Sequence, residues 1–203
     1  YAYVITEVGL HVVDISAPAY PQVRGFSATP EIATSVFVSG NYAFVTWGMS
    51  GTYGLQIIHV GDKDNPSVAK NLALLDEGVD TFVQDEYAYV TTRLNGMRVI
   101  NVTSPYAAEE VGAYTDYPSF IPLRLCVTPG WAFVCDNWEG MELRAIGLAD
   151  PEKPGPAYSI PLPGRPYAVA VRGDYAYVAD ETQGLRIINV SNPAAMAPEG
   201  AYA

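Results

Sequence analysis

The sequence predicts an all-β chain: a β-propeller of five four-stranded blade repeats, each close to 44 residues long. Three observations predict it. An aromatic-Ala-aromatic-Val pattern begins at Tyr1, Tyr42, Tyr87, Trp131 and Tyr175. A Gly-Leu or Gly-Met pair opening an apolar run follows each copy, at Gly9, Gly54, Gly96, Gly140 and Gly184. A third mark, a Gly seven residues beyond a Pro, appears at Gly25, Gly112 and Gly200. Marks that recur in register at one period define a repeat architecture, and no helical period is sustained anywhere.

Each period holds four short strands. In the second copy they are expected over Thr34–Ser39, Tyr42–Trp47, Leu55–Val60 and Val68–Leu74, runs rich in Val, Ile, Tyr and Phe. Two-residue connections join the first strand to the second at Gly40-Asn41, Asp85-Glu86, Pro129-Gly130 and Gly173-Asp174. Gly, Asn and Asp are the residues that tight hairpins demand. Pro18, Pro66, Pro105, Pro151 and Pro193 follow the third strands, where a missing amide donor ends pairing. In Tyr175-Ala176-Tyr177-Val178 both side-chain faces are apolar or aromatic, so the inner strands are buried on both sides, as in small stacked sheets.

The whole of residues 1–203 reads as one propeller domain, with blades over 1–29, 30–75, 76–116, 117–161 and 162–203. The first blade is partial, because Tyr1 opens on a second strand. About nineteen strands are expected where five complete blades need about twenty. With the missing initiating Met, this reads as a segment of a larger chain.

Composition narrows the partners. Hydrophobic residues make up 49% and charged residues 16%, which excludes a disordered chain. Eleven basic against 22 acidic residues give a net charge of -11, which disfavours a nucleic-acid surface and repels anionic lipid. No apolar run is long enough for a membrane span, so direct membrane insertion is not expected.

Tyr175-Ala176-Tyr177-Val178-Ala179-Asp180, followed by Gly184-Leu185-Arg186-Ile187-Ile188-Asn189-Val190-Ser191-Asn192-Pro193, resembles the LVIVD repeat. The resemblance runs through all five copies. It implies a propeller and a secreted or surface-displayed bacterial or archaeal protein, with no common enzymatic residues to carry over. Copy four departs from the pattern, with Leu143-Arg144-Ala145-Ile146-Gly147-Leu148 where Ile-Ile-Asn-Val is expected. Copy two carries His59 at the Asp or Asn position and extra residues around its third strand.

Candidate site residues come from the loops joining second to third strands, which vary while the strands hardly change. Trp47, Tyr53, Arg93, Asn137 and Trp138 stand out there, with carboxylates at Glu7, Asp136, Glu139, Asp180 and Glu181. Exposed Trp and Tyr beside carboxylates stack on sugar rings or anchor a protein partner; the same aromatics can equally cover loop bases. The carboxylates read as a solvated acidic rim.

Cys126 and Cys135 flank the Pro129-Gly130 turn on one sheet face. They stand diagonally if the turn is Pro129-Gly130 and face directly if it shifts, which leaves a disulfide and two free thiols both open. Asp62-Lys63-Asp64 has oxygen ligands at alternate positions, but its place favours a tight turn over a calcium loop. His11 and His59 make no zinc site. The sequons at Asn101 and Asn189 fall out of the repeat motif. No metal and no cofactor is expected.

The functional expectation is a non-enzymatic interaction scaffold, extracellular or at the cell surface. It would dock a protein or polysaccharide partner or pack into a larger surface assembly. The alternative is a carbohydrate-binding or carbohydrate-active propeller using the loops around Trp47 and Trp138.

Overall fold

The computed structural model describes residues 1–116, 120–136 and 140–202. Among them nineteen β-strands form five successive meanders, each strand lying beside its neighbour in sequence. Sheet one has three strands, β1 (Ala2–Thr6), β2 (Gly9–Asp14) and β3 (Gln22–Ala28). Sheet two has β4 (Ala33–Ser39), β5 (Tyr42–Met49), β6 (Thr52–His59) and β7 (Ser67–Ala73). Sheet three has β8 (Gly78–Gln84), β9 (Tyr87–Thr92), β10 (Gly96–Asn101) and β11 (Glu109–Tyr114). Sheet four has β12 (Pro122–Thr128), β13 (Trp131–Asp136), β14 (Glu142–Gly147) and β15 (Ala157–Pro161). Sheet five has β16 (Pro166–Arg172), β17 (Tyr175–Asp180), β18 (Gly184–Asn189) and β19 (Ala197–Tyr202).

The expected turns close these meanders. Ser39 pairs with Tyr42, Thr128 with Trp131 and Arg172 with Tyr175, leaving two residues between each pair. Gly40, Gly130 and Gly173 take positive φ there, and Asp85 does so at 54° in the equivalent turn of sheet three. Asp is among the few residues with a side chain that tolerate that region. Pairing slips by one residue at a recurring place, between Val12 and Val13, Ile57 and Ile58, and Ile187 and Ile188. A bulge kept at the same repeat position is a built feature that adds twist to the outer strand.

The chain divides into two compact units, Tyr1–Val90 with Ile100–Glu110 and Thr91–Val99 with Val111–Ala203. Inside each unit one packing rule holds. Within a second strand, the aromatic at the third repeat position lies on one face, called A here. The Ala and Val beside it lie on the other, face B. In the first unit, Tyr3, Ile5, Leu10 and Val12 on face A of sheet one meet Ala43, Val45, Ile58 and Val60 on face B of sheet two. Phe44, Leu55 and Ile57 on face A of sheet two meet Ala88, Val90, Ile100 and Val102 of sheet three. In the second unit, Phe133, Cys135, Leu143 and Ala145 of sheet four meet Ala176, Val178, Ile188 and Val190 of sheet five. A large residue thus always faces a small or β-branched one. Each fully buried Leu or Phe in such a layer contributes about 1.5–3 kcal/mol.

Copy four corrects the register expected from sequence. Val134 pairs with Arg144 and Asp136 with Glu142, just as Val178 pairs with Arg186 and Asp180 with Gly184. Leu143-Arg144-Ala145-Ile146 therefore stands where Leu185-Arg186-Ile187-Ile188 stands. Gly140-Met141 belongs to the turn before the strand, with Met141 at φ 43°. The departure from the repeat is thereby narrowed to Ala145 and Gly147, which stand where Ile187 and Asn189 stand, and the preceding hairpin is two residues longer. Among the described residues no helix is long and apolar enough to cross a membrane.

Candidate functional site

The residues singled out between second and third strands are placed mostly in structural work. Trp47 and Tyr53 are not in a loop. The β5–β6 ladder continues through Trp47↔Gly54, Gly48↔Tyr53 and Met49↔Thr52 before it turns. Trp47 is buried, its indole lying across Gly54, where an added Cβ would stand 2.6 Å from Cε2. Gly48 makes the same room for the Tyr53 ring. Both glycines admit aromatics from the facing strand.

Asp136 and Asp180 occupy equivalent strand ends and are both buried. Asp180 Oδ1 accepts from the backbone N of Thr182 (3.0 Å) and Gln183 (3.0 Å) and from the Thr182 hydroxyl (3.1 Å). Asp136 Oδ1 accepts from the Ile121 amide at 3.3 Å. Buried carboxylates fixed by backbone donors brace turns. Glu181 is exposed and lies 4.0 Å from Arg165, and Arg93 is exposed in the β9–β10 turn. Asn137, Trp138 and Glu139 lie outside the described residues. The structure thus gathers no cluster from the described members of this set.

The acidic turn after β6 is held by its own atoms. Asp62 accepts from the amides of Asp64 and Asn65 and from Asn65 Nδ2. The Asn65 side chain, then the Asp64 amide, keep its carboxyl below the usual 3.8. Asp64 accepts from Arg24 Nε at 2.7 Å and Nη2 at 3.1 Å, and that ion pair lowers its pKa as well. The Asn of each sequon accepts in the same way, Asn101 from the Thr103 amide and Asn189 from the Ser191 amide. His11 packs on Phe26 and His59 on Tyr42.

Cys126 pairs with Phe133, which sets the diagonal register, and the two cysteines are not joined by a disulfide. Cys135 is buried in the face-A layer of sheet four. Burial pushes the Cys126 thiol pKa up, only partly offset by a backbone hydrogen bond from Val171.

Two features escaped the sequence reading. One is a cleft of about 180 Å³ lined by Tyr114, Asp116, Arg144, Ala157, Tyr158 and Ser159. Arg144 is nearly buried on β14. It binds Glu142 through Nε (2.9 Å) and Nη2 (2.7 Å), and Asp116 (2.7 Å) and the Tyr114 hydroxyl (3.2 Å) through Nη1. Its guanidinium also lies over the Phe120 ring at 4.6 Å. Burial opposes its charge, but the bonds to Asp116, Glu142 and Tyr114 outweigh that and raise its pKa above the ordinary range. The available signal was the cation recurring in mid-strand at Arg98, Arg144 and Arg186.

The other feature is the pair of end sheets. On face A of sheet five Tyr177 is 36% exposed, whereas Phe44 at the same repeat position is 3% exposed. On face B of sheet one Val4 and Ile15 are 45% and 43% exposed, whereas Val45 and Val60 are fully buried. Burial alternates along β17 accordingly, while β9 and β13 are buried on both faces.

The sequence profile described as the LVIVD repeat matches residues 1–29, 31–72, 79–116 and 163–203. It passes over copy four, whose strands β12 to β15 nonetheless pair as the others do. No curated protein matches the sequence. Among solved structures, a functionally unknown protein from Desulfotomaculum acetoxidans DSM 771 aligns at TM-score 0.79 and 12% identity, over 98% of this chain and 68% of that one. A candidate 6-phosphogluconolactonase from Bacteroides fragilis NCTC 9343 aligns at TM-score 0.80 and 9% identity, over 98% and 64%. The computationally designed Ika8 protein aligns at TM-score 0.68 and 10% identity, over 91% and 54%. At such identities the likeness is one of fold alone. The chain spans about half to two thirds of the length of these structures.

Proposed function

This chain belongs to the LVIVD repeat family, and from that membership we propose that it is a non-enzymatic β-propeller scaffold of an extracellular or cell-surface protein. Its five sheets are the blades, and its work is to hold a partner. The observation that carries this reading is the exposure of Tyr177, Val4 and Ile15 on the end sheets. Apolar side chains left uncovered on a sheet face are costly in water, and such faces are characteristic of interaction sites. An apolar face recruits a protein surface more readily than a sugar, whose hydroxyls need fixed polar partners.

The test is site-specific photo-crosslinking of the protein in its native cells, with the probe at Val4, at Tyr177, or at exposed Asp174 as control. Adducts to a macromolecule from the first two positions and none from the control are expected. Equal labelling from all three overturns the scaffold reading.

A second reading is favoured by the cleft beside Arg144. The part-exposed Tyr158 ring, the Asp116 carboxylate and the Ser159 hydroxyl supply the stacking face and hydrogen-bonding groups that a saccharide uses. This moves the carbohydrate alternative away from Trp47. Calorimetric titration with neutral oligosaccharides tests it: Tyr158→Ala should weaken binding about tenfold, and no heat with the unsubstituted protein rejects it.

A further inference from the structure

We propose that Tyr42, His59 and Tyr106 wall a binding corner for a quaternary ammonium head group, such as choline, at the hairpin end of sheets two and three. The inference goes beyond the scaffold reading and is independent of it, since it uses no residue of the end sheets. All of its residues lie within the first unit.

The observation that carries it is a set of departures from the repeat that meet in space. The last residue of a third strand pairs with the first aromatic of the second strand, as in Tyr42↔His59, Trp131↔Gly147 and Tyr175↔Asn189. Three copies place Asp14, Asn101 or Asn189 there, and each accepts from the amide two residues on, at 2.9, 3.0 and 3.1 Å. Copy two has His59 instead. Its Gly61 stands where Ser16, Thr103 and Ser191 stand, and a Cβ there would come 2.8 Å from both Cε1 and Nε2 of His59. The two changes are coupled: the glycine makes room for the imidazole. Copy three supplies the third departure. Tyr106 follows Pro105 where the other copies have Ala19, Ser67, Glu152 and Ala194, and it is 60% exposed. The other copies close these turns without such residues, so folding asks for none of the three.

The walls offer aromatic surface and negative charge. The Tyr42 ring stands at 69° to His59, with centroids 5.2 Å apart, and at 86° to Tyr106, at 6.5 Å. Rings set near right angles form a corner, and their π faces attract a cation placed in it. Asp62 adds charge beside them. The Asn65 side chain and then the Asp64 amide hold its carboxyl low, and the His59 ring acts on it across space. Oδ1 accepts from the amides of Asp64 (3.0 Å) and Asn65 (3.2 Å), and Oδ2 from Asn65 Nδ2 (3.1 Å). The carboxylate therefore keeps its charge while most of its lone pairs are already used. A primary ammonium is strongly hydrated and would exchange that water for too few acceptors. A quaternary ammonium has no N–H to satisfy and needs only charge and aromatic faces. Lys63, the nearest cation in sequence, is bound to the Tyr3 hydroxyl at 2.9 Å.

The experiment is a proton NMR titration of the 203-residue chain with choline chloride at about pH 8, where an imidazole is neutral. The chain has two histidines, so the His59 ring protons report on the corner and those of His11 serve as an internal control. The His59 protons should shift and saturate with a Kd on the order of 1 mM, and the His11 protons should stay in place. The alcohol 3,3-dimethylbutan-1-ol has the same shape without the charge and should bind about tenfold more weakly. Phosphocholine presents the head group as a lipid does, and the Asp62 charge should make it weaker than choline. Variants are read by saturation transfer to the choline methyl protons. Tyr106→Ala should weaken binding about tenfold. The double variant His59→Asn, Gly61→Ser restores the residues of the other copies, so it should fold as they do and lose binding to the same degree. An unmoved His59 signal at about 50 mM choline overturns the inference. So does equal affinity for the uncharged alcohol, or undiminished transfer in the folded double variant. Tighter binding of phosphocholine than of choline would overturn the assignment to a free solute and point to a lipid surface.

Discussion

Trp47 and Gly54 illustrate how one residue's meaning depends on its facing neighbour. The indole fills the space a side chain at 54 would need, and the Leu72 carbonyl closes it from behind at 2.7 Å from the added Cβ. Gly54→Ala should therefore cost about 1–3 kcal/mol by overpacking, read as a lower denaturation midpoint with an unchanged slope. Asp64 makes a prediction of opposite character. Its carboxyl is held below 3.8 by the hydrogen bond from Arg24, so its contribution is complete above that value and is lost as pH falls through the lower, folded pKa. Asp64→Asn should lower the melting temperature slightly at pH 7. The difference should vanish as the solution is acidified past the folded pKa, and shrink in high salt. A difference that persists in acid would assign the effect to the turn's shape, not its charge.

At the scale of elements, the repeat was legible and its exceptions were not. Strand order and turn positions follow from period, Gly and Pro, and the nineteen strands match the count expected. The β5–β6 hairpin reads as a loop because Gly48 and Gly51 signal one to any local reading. Only the facing Trp47 and Tyr53 explain why glycine belongs in a strand there. Copy four was misaligned because Gly140-Met141 imitates the Gly-Leu mark, while the residues at the mark's own position are Glu142-Leu143. The cleft at Arg144 was invisible because it joins residues about thirty positions apart, which no motif spans. The glycines of the outer strands give the element-level prediction. Gly25→Ala should destabilise by about 1–3 kcal/mol, because it drives a methyl into the Lys63–Pro66 turn. Gly200→Ala should be neutral or slightly stabilising, because an added Cβ there meets only Ile187 at 3.7 Å. Thermal melts of both variants check the pair.

Over the whole molecule, position in the series decides the outcome of one and the same substitution. Val4 and Val45 are equivalent residues, yet Val45 is fully buried between sheets and Val4 is largely exposed. Val45→Asp buries a carboxylate without a partner and should cost about 4 kcal/mol or more. Val4→Asp should change stability by less than about 1 kcal/mol and improve solubility. Chemical denaturation of the two variants side by side measures the difference, and equal losses would mean that sheet one is covered.

The A-on-B rule also bears on how such chains change length. Each sheet presents to its successor the chemistry that its predecessor presented to it. If the stretch from Tyr42 through Glu86 were lost, face A of sheet one (Tyr3, Ile5, Leu10) would arrive at Ala88, Val90 and Ile100, a surface already shaped for it. Losing a whole period is therefore gentler than losing a few residues within one. Insertions and deletions that such a chain tolerates should therefore be counted in whole periods.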